Sequence, residues 1–340
     1  MDRKLLQGAR AYSLGRRLLM GWLCGVASFA LAQAQAQPAA STERSLSEWL
    51  DRVHAAPRRH NYIGTIVVSS NAGAMSSARI WHACDDDERQ VERIEALSGP
   101  PRSSVRRDNR VMTFLPEQKL VRVEYHESLS RFPDLFRSGG AAAVAELYTV
   151  RPAGTDRIAG FETDVVLLAP RDAMRFAHRV WTERRTGLVL KRQTLAPDGA
   201  VLEQTAFSEL QLDVPLRPDR LLKQMQPPPG WRMETVQAVR TTAVDEGWDL
   251  KPAVTGYKPV ACYRRGSASG AMQCVFSDGL ASVSLFVEPA PEPSAQHEGA
   301  LAAGATHTLT RRIPGWSITA VGEVPQQTLR AFAQSLERRP

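Results

Sequence analysis

The residues that could carry catalysis do not stand at catalytic spacings in this sequence. The run from Gly266 to Gly270 reads GSASG, which puts alanine where a Gly-x-Ser-x-Gly elbow holds its nucleophile. The seven histidines include no His-Glu-x-x-His pattern, and the cysteines form no Cys-x-x-Cys, so neither a zinc site nor a thioredoxin-like site is indicated. The acidic run from Asp85 to Glu88 lacks the alternating ligands and the glycine of a calcium loop and is typical of a solvated hairpin tip. We therefore expect neither an enzyme nor a metal or other cofactor, although one sequence does not exclude a triad assembled in space.

Cysteine pairing is the one covalent chemistry that the spacing favours. Cys262 and Cys274 flank the GSASG run between two apolar, strand-like segments, an arrangement that suits a disulfide across a hairpin in an oxidising compartment. The alternative is a pair of free thiols. Cys84 is then left over, either as a small buried hydrophobic residue or as a reactive thiol.

The N-terminus predicts export. Basic residues at positions 3, 4, 10, 16 and 17 precede an apolar run from Leu18 to Leu31, which is shorter than the ~20 residues needed to span a bilayer. Small-residue patterns that end at Ala34 or Ala36 follow it, so residues 1–36 are predicted to be a cleaved signal peptide and the protein to be exported. An uncleaved membrane anchor is the alternative.

The charge balance gives no indication of a nucleic-acid partner. The formal net charge is +7, and removal of residues 1–36 lowers it to about +3. The remaining arginines are dispersed over strand-like segments and form no stripe with interleaved aromatic residues.

Period-two patterns dominate the rest of the chain. A helix is predicted from a capping box at Ser45 to about Pro57, followed by successive strands and by a short helix or two within Phe132–Val150. Asp108-Asn109 is interpreted as a turn, and the predicted strands include Ser103–Arg107, Arg110–Leu115, Leu120–Tyr125, Asp156–Phe161 and Val201–Leu212. Antiparallel strands with few helices predict an α+β, mainly antiparallel fold, in which an unclosed barrel or half-barrel is covered on one face by helices or a ligand.

Prolines divide the chain into two predicted domains. Residues 215–230 contain Pro215, Pro218 and Pro227–Pro229 and are interpreted as a linker without regular core elements. The half-barrel is therefore assigned to residues 42–214, and a smaller α+β domain to residues 231–340.

Binding is the remaining function class. The inner face of an open sheet can hold an acyl chain, because each buried methylene contributes ~0.8 kcal/mol without oriented polar groups. The alternative for each candidate is ordinary core packing for the apolar residues, and solubility for the charged ones. The apolar candidates for a lipid pocket are Ile66, Val68, Trp81, Phe114, Phe132, Leu135, Phe136, Phe176 and Trp181. The candidates for an anionic head group are Arg102, Arg106, Arg107 and Arg110.

Several blocks, in the same order along the chain, resemble one known family. They include Leu97–Arg102, Arg157–Phe161 and Gly187–Lys191 in the first domain, and Ser277–Ser284 and Ile318–Pro325 in the second. Together they are similar to the RseB/MucB proteins over roughly residues 45–338. The family's Trp-Leu-Pro-x-Gly-Phe-like segment is not matched early in the second domain, where this chain has Trp248 and then Lys251-Pro252.

The resemblance implies a first domain like the lipoprotein-carrier fold and a periplasmic function in regulating a stress sigma factor. Such a protein would bind the periplasmic domain of a membrane-spanning anti-sigma factor (RseA/MucA type), protect it from site-one proteolysis, and be released by lipopolysaccharide or mislocalised lipoprotein. Partner contacts in the second domain, and formation of a homo-oligomer, are left open. The alternative functions are a periplasmic lipid or lipoprotein carrier on the same half-barrel and, less in keeping with the motifs, a secreted hydrolase.

Overall fold

The protein is described by a computed structural model that covers residues 41–84, 89–125, 132–136, 140–236, 238–251, 254–265, 272–290 and 298–339. The predicted signal peptide, the acidic run Asp85–Glu88 and the GSASG loop lie outside these residues. Within them, no helix is long and apolar enough to cross a membrane, and no group of His, Cys, Asp and Glu side chains is arranged to hold a metal ion.

The described residues form helices α1 (Ser41–Arg59), α2 (Gly140–Leu147), α3 (Pro218–Leu222) and α4 (Gln326–Gln334), with short 3-10 helices at Pro116–Gln118 and Lys223–Met225. The strands of the first half of the chain are β1 (Tyr62–Ser70), β2 (Met75–Cys84), β3 (Gln90–Ala96), β4 (Ser103–Arg107), β5 (Arg110–Leu115), β6 (Leu120–Tyr125), β7 (Tyr148–Ile158), β8 (Phe161–Pro170), β9 (Ala177–Glu183), β10 (Val189–Leu195) and β11 (Val201–Leu212). Those of the second half are β12 (Arg232–Val236), β13 (Ala238–Thr241), β14 (Trp248–Leu250), β15 (Lys258–Arg265), β16 (Met272–Ser277), β17 (Ser282–Pro289), β18 (Gly299–Ala303), β19 (Thr306–Ile313), β20 (Trp316–Gly322) and β21 (Leu336–Arg338).

A 12-stranded sheet forms the first lobe, in the order β12-β6-β5-β4-β3-β2-β1-β11-β10-β9-β8-β7. All its pairs are antiparallel except β12 with β6. Among the described strands, β12 and β7 stand at the two ends of this order and do not pair with each other, so the predicted unclosed, mainly antiparallel architecture is confirmed. One strand prediction is corrected: Asp156–Phe161 is not continuous, because Ala159 and Gly160 have positive φ angles and form the turn between β7 and β8.

Helix α1 covers one face of this sheet, which we call the inner face. Trp49, Leu50 and Val53 are buried there at helical spacing, and the Trp49 indole donates a 3.2 Å hydrogen bond to Oγ1 of Thr182. The helix starts at Ser41 and continues through Pro57, beyond both predicted bounds. A 2.6 Å contact between Nε2 of His82 and the Pro57 carbonyl occupies an acceptor of its last turn.

The proline-rich segment is more ordered than the predicted linker. It carries α3, whose Leu221 is buried against the other face of β2–β6, the outer face, where it joins a cluster with Val105 and Met112. The chain then returns to the first lobe as β12, which runs parallel to β6. The first lobe therefore extends to Val236. Helix α3 forms because burial of Leu221 outweighs the weak helix preference of this segment.

The second lobe is a seven-stranded antiparallel sheet, in the order β13-β15-β16-β17-β20-β19-β18, with α4 on one face. Leu329 and Phe332 of α4 pack on Val283, Leu285 and neighbouring buried residues. The predicted disulfide is present, because Cys262 and Cys274 stand directly opposite each other on β15 and β16 and their sulfurs are bonded.

Candidate functional site

A cleft of about 810 Å³ lies between the inner face of the first lobe and the sheet of the second. Its first-lobe wall comes from β1–β6, β10 and β11, and its second-lobe wall from β17, β19, β20 and the turns beside them. The apolar lining consists of Ile66, Val68, Ala78, Ile94, Ala96, Val111, Phe132, Leu280, Ala281 and Val321. The polar lining consists of hydroxyl side chains together with Arg102, Arg192, Glu124, Glu203 and Glu323. A molecule in this cleft would touch both lobes.

The alternation of side chains along β1 determines which of its residues form the apolar end of the cleft. Ile66 and Val68 occupy alternate positions of β1, so both side chains face inward. Phe132 lies beside them with its ring 5.2 Å from that of Phe207, centroid to centroid. The second lobe adds Leu280, which is buried in the core cluster that contains Trp49. These side chains form an apolar floor at the junction of the lobes.

A buried polar contact, which we call the anchor, holds the second-lobe wall. Asp278 stands in the turn between β16 and β17, where its Oδ1 accepts hydrogen bonds from the backbone N–H groups of Leu280 and Ala281 at 2.9 and 2.7 Å. Its Oδ2 accepts from Nε of Arg175 at 2.8 Å and from the hydroxyl of Tyr148 at 3.2 Å, both in the first lobe. The side chains of Arg175 and Asp278 are fully buried. The anchor thus fixes the turn that carries Leu280 into the first lobe.

Burial keeps the Tyr148 hydroxyl of the anchor protonated. Burial, followed by the nearby charge of Asp278, raises the pKa of Tyr148 well above its ordinary value, so the phenol remains a neutral donor. Arg175 also donates to the carbonyl of Thr255 at 2.6 Å and lies 4.8 Å from the ring of Tyr257. The carboxylate of Asp278 is therefore paired and hydrogen-bonded, as a buried charge requires.

Not all of the predicted lipid-pocket residues line the cleft. Ile66, Val68 and Phe132 do. Leu135 and Phe136 instead belong to the buried cluster beneath α1, and Phe176 packs edge-on against His307 of the second lobe.

The remaining apolar candidates lie away from the cleft. Phe114 and Trp81 belong to the cluster on the outer face around Leu221. Trp81 alternates with Ile80, which faces inward, and its ring lies 4.7 Å from the guanidinium of Arg93. Trp181 donates a 2.9 Å hydrogen bond to Asp156. Their positions follow from side-chain alternation along the strands.

The predicted arginine cluster is divided between the two faces of the sheet. Arg102 lines the cleft. Arg106 pairs in register with Glu92, and its Nη2 lies 3.8 Å from that carboxylate. Arg107 and Arg110 stand opposite each other on either side of a tight turn and alternate with inward-facing residues, so they lie on the outer face. Of the four predicted arginines, Arg102 is the one that lines the cleft.

Sequence reasoning did not identify Asp278, Arg175 or Leu280 as site residues. The Ser277-Asp278-Gly279 run carries a local signal, since aspartate before glycine favours a side-chain-capped turn. Its contact with Arg175 spans a separation of 103 residues, for which the sequence has no signal.

Comparison with known proteins matches both lobes to one family. Residues 45–225 match the MucB/RseB N-terminal domain and residues 242–337 the MucB/RseB C-terminal domain. Among curated proteins, the chain is 28% identical to the sigma factor AlgU regulatory protein MucB of Pseudomonas aeruginosa, over 85% of this chain and 90% of that protein. It is 26% identical to the sigma-E factor regulatory protein RseB of Escherichia coli, over 90% and 93% of the two chains.

Solved structures agree with these matches. MucB in the complex of Pseudomonas aeruginosa MucA and MucB superposes with a TM-score of 0.67 at 26% identity, over 87% of this chain and 99% of that one. A second structure, MucB with the periplasmic part of MucA, gives a TM-score of 0.65 at the same identity and coverage. On the match of both its domains, this chain belongs to the MucB/RseB family.

Proposed function

We propose that this protein is a periplasmic negative regulator of an extracytoplasmic stress sigma factor. It would bind the periplasmic domain of a membrane-spanning anti-sigma factor and protect that domain from site-one proteolysis. The observation that carries the proposal is the match of both lobes to a family whose curated relatives are named sigma factor regulatory proteins. The likeness to MucB solved in complex with MucA supports a polypeptide partner. A binding regulator needs no catalytic group, in keeping with the sequence motifs.

The releasing ligand is proposed to be an amphiphile such as lipopolysaccharide or the acyl chains of a mislocalised lipoprotein. The cleft supports this class because its apolar floor at Ile66, Val68, Phe132 and Leu280 lies in the same cavity as Arg102 and many hydroxyl groups. Each methylene buried on the floor would contribute ~0.8 kcal/mol, and Arg102 would pair with an anionic group.

Release requires that the lipid and the anti-sigma segment favour different states of the regulator. Because the cleft has walls from both lobes, a lipid that fills it would favour one arrangement of the lobes over another. A coupling free energy of ~1 to 3 kcal/mol would change the affinity for the anti-sigma segment about 5- to 150-fold.

A protease-protection assay tests the proposal. The periplasmic domain of the anti-sigma factor from the same organism is incubated with its site-one protease, with and without the mature protein, and then with lipopolysaccharide added. We expect the protein to slow cleavage and lipopolysaccharide to restore it. Lack of both protection and complex formation at micromolar concentration would refute the regulator and favour a lipid carrier, which would instead bind acyl chains stoichiometrically and pass them to an acceptor.

A further inference from the structure

A second contact between the lobes lies in the same cleft and differs in kind from the anchor. Glu203 of β11 and Arg192 of β10 belong to the first lobe, and Glu323 directly follows β20 of the second. Nη2 of Arg192 lies 3.0 Å from Oε2 of Glu323, with side-chain exposures of 16% and 36%, whereas both charges of the anchor pair are fully buried. Water therefore reaches this contact but not the anchor.

The turn between β18 and β19 rests on Glu203. Its Gly304 has φ +62°, and a Cβ there would lie 2.8 Å from Cβ of Ser70 and 3.3 Å from Oε2 of Glu203. The backbone N–H of Ala305 donates to the Glu203 carboxylate. This turn of the second lobe thus covers the half-buried Glu203, and only a glycine permits so close an approach.

The carboxylates of Glu203 and Glu323 and the guanidinium of Arg192 all line the cleft. Burial, and then the charge of Glu323, raises the pKa of Glu203 above its usual 4.5, while Arg192 and the N–H of Ala305 act in the opposite direction. His307, on the same hairpin, lies against Phe176 instead. When Glu203 is ionised, two negative charges from opposite lobes face a single arginine, which weakens the contact.

We infer that Glu203 and Glu323 form a clasp between the lobes that closes when Glu203 is protonated and loosens when Glu203 is ionised. The pKa of Glu203 is higher in the closed state than in the open state, so the closed state binds the proton more tightly. Acidification therefore favours closure. The change takes place between the ordinary pKa of 4.5 and the raised value. Each pKa unit between the open and closed states multiplies the closed-to-open ratio by about ten. The buried anchor would act as the pivot.

Spin-label distance measurement across the cleft tests the clasp. Labels are placed at Met75 of the first lobe and Leu301 of the second, two residues that are 76% and 75% exposed. The background is Cys84→Ser with the disulfide intact. We expect a longer or additional distance at about pH 7.5 compared with about pH 5, and for Glu203→Gln the short distance at both pH values.

Glu124→Gln is the matched control. Glu124 lines the same cleft from β6, so its substitution removes the same charge without touching the Gly304 turn, and its pH response should equal that of the parent. Glu323→Gln, which removes the facing charge, should reduce the response and serves if Glu203→Gln does not fold. A parent distance that does not change with pH overturns the inference, as does an unchanged response in Glu203→Gln. The measurement needs neither lipid nor anti-sigma factor, so its failure is distinct from failure of the proposed function.

Discussion

Asp278 accepts a 2.8 Å hydrogen bond from Nε of Arg175, and this fully buried pair joins the two lobes. Removal of Asp278 leaves the buried Arg175 with the carboxylate of Asp172, and it takes the acceptor from the Tyr148 hydroxyl and from two backbone N–H groups. We therefore expect Asp278→Ala to lower the free energy of unfolding by about 3 kcal/mol or more in urea titrations. Glu337→Ala breaks the exposed pair with Lys251 and should change it by less than ~1 kcal/mol. Equal effects of the two substitutions would show that the anchor contributes no more than a surface ion pair.

The anchor also marks the limit of prediction from sequence. Strands β4, β5, β6 and β11 begin and end at the predicted residues, because period-two alternation and turn residues such as Asp108-Asn109 are local signals. Contacts between the lobes join residues far apart in sequence, and nothing local distinguishes Arg175 from a solvated arginine.

Two other differences between the sequence predictions and the structure, at the arginine cluster and in the proline-rich segment, also have physical reasons. Arg106 and Arg107 were grouped by closeness in sequence, yet adjacent residues of a strand face opposite sides of the sheet. The proline-rich segment looked irregular by composition, yet burial of Leu221 orders a helical turn there. Strand geometry decided the first outcome, and packing decided the second.

Gly187 allows α1 to approach the sheet closely. Its φ is +81°, and a Cβ would lie 2.6 Å from Cγ of Arg52 and 3.1 Å from the backbone carbonyl carbon of Arg52. We expect Gly187→Ala to lower the free energy of unfolding by about 2 kcal/mol, from backbone strain together with displacement of α1. Gly199→Ala, at φ +87° with no atom within 4 Å, should show only the strain, about 1 kcal/mol. If Gly199→Ala is as damaging in urea titrations, crowding against Arg52 is not the cause.

The disulfide should contribute mainly by restricting the unfolded chain. Cys262 and Cys274 are separated by 12 residues, for which loop closure predicts about 2 to 3 kcal/mol. Differential scanning calorimetry of Cys262→Ala/Cys274→Ala against the oxidised parent should show a lower Tm, and reductant should lower the parent's Tm but not the variant's. A variant as stable as the oxidised parent would contradict this.

His178 should make the fold sensitive to acid. Burial, and secondarily the charge of Arg192, lowers its pKa from 6.5 to about 3, so the imidazole stays neutral in the folded state. Since the unfolded chain takes up this proton below pH 6.5, stability is complete above that pH and falls as pH decreases, by up to about 1.4 kcal/mol per unit. Urea titrations at about pH 7 and about pH 5 should show a smaller loss for His178→Gln than for the parent. Equal losses would assign the acid sensitivity to other groups.

Val68 and Val67 test whether the cleft is the lipid-responsive site. Val68 lines the cleft, and Val67 is its neighbour on β1 with the side chain on the opposite face, so the two sites differ in orientation but hardly in position. A carboxylate at Val68 would disfavour an acyl chain on the apolar floor. In the protease-protection assay we expect Val68→Asp to protect the anti-sigma factor as the parent does, but to require at least tenfold more lipopolysaccharide for release, a loss of about 1.4 kcal/mol. Val67→Asp should be released as readily as the parent. Equal lipid requirements for both variants would place the lipid site outside the cleft, because only one of the two charges enters it.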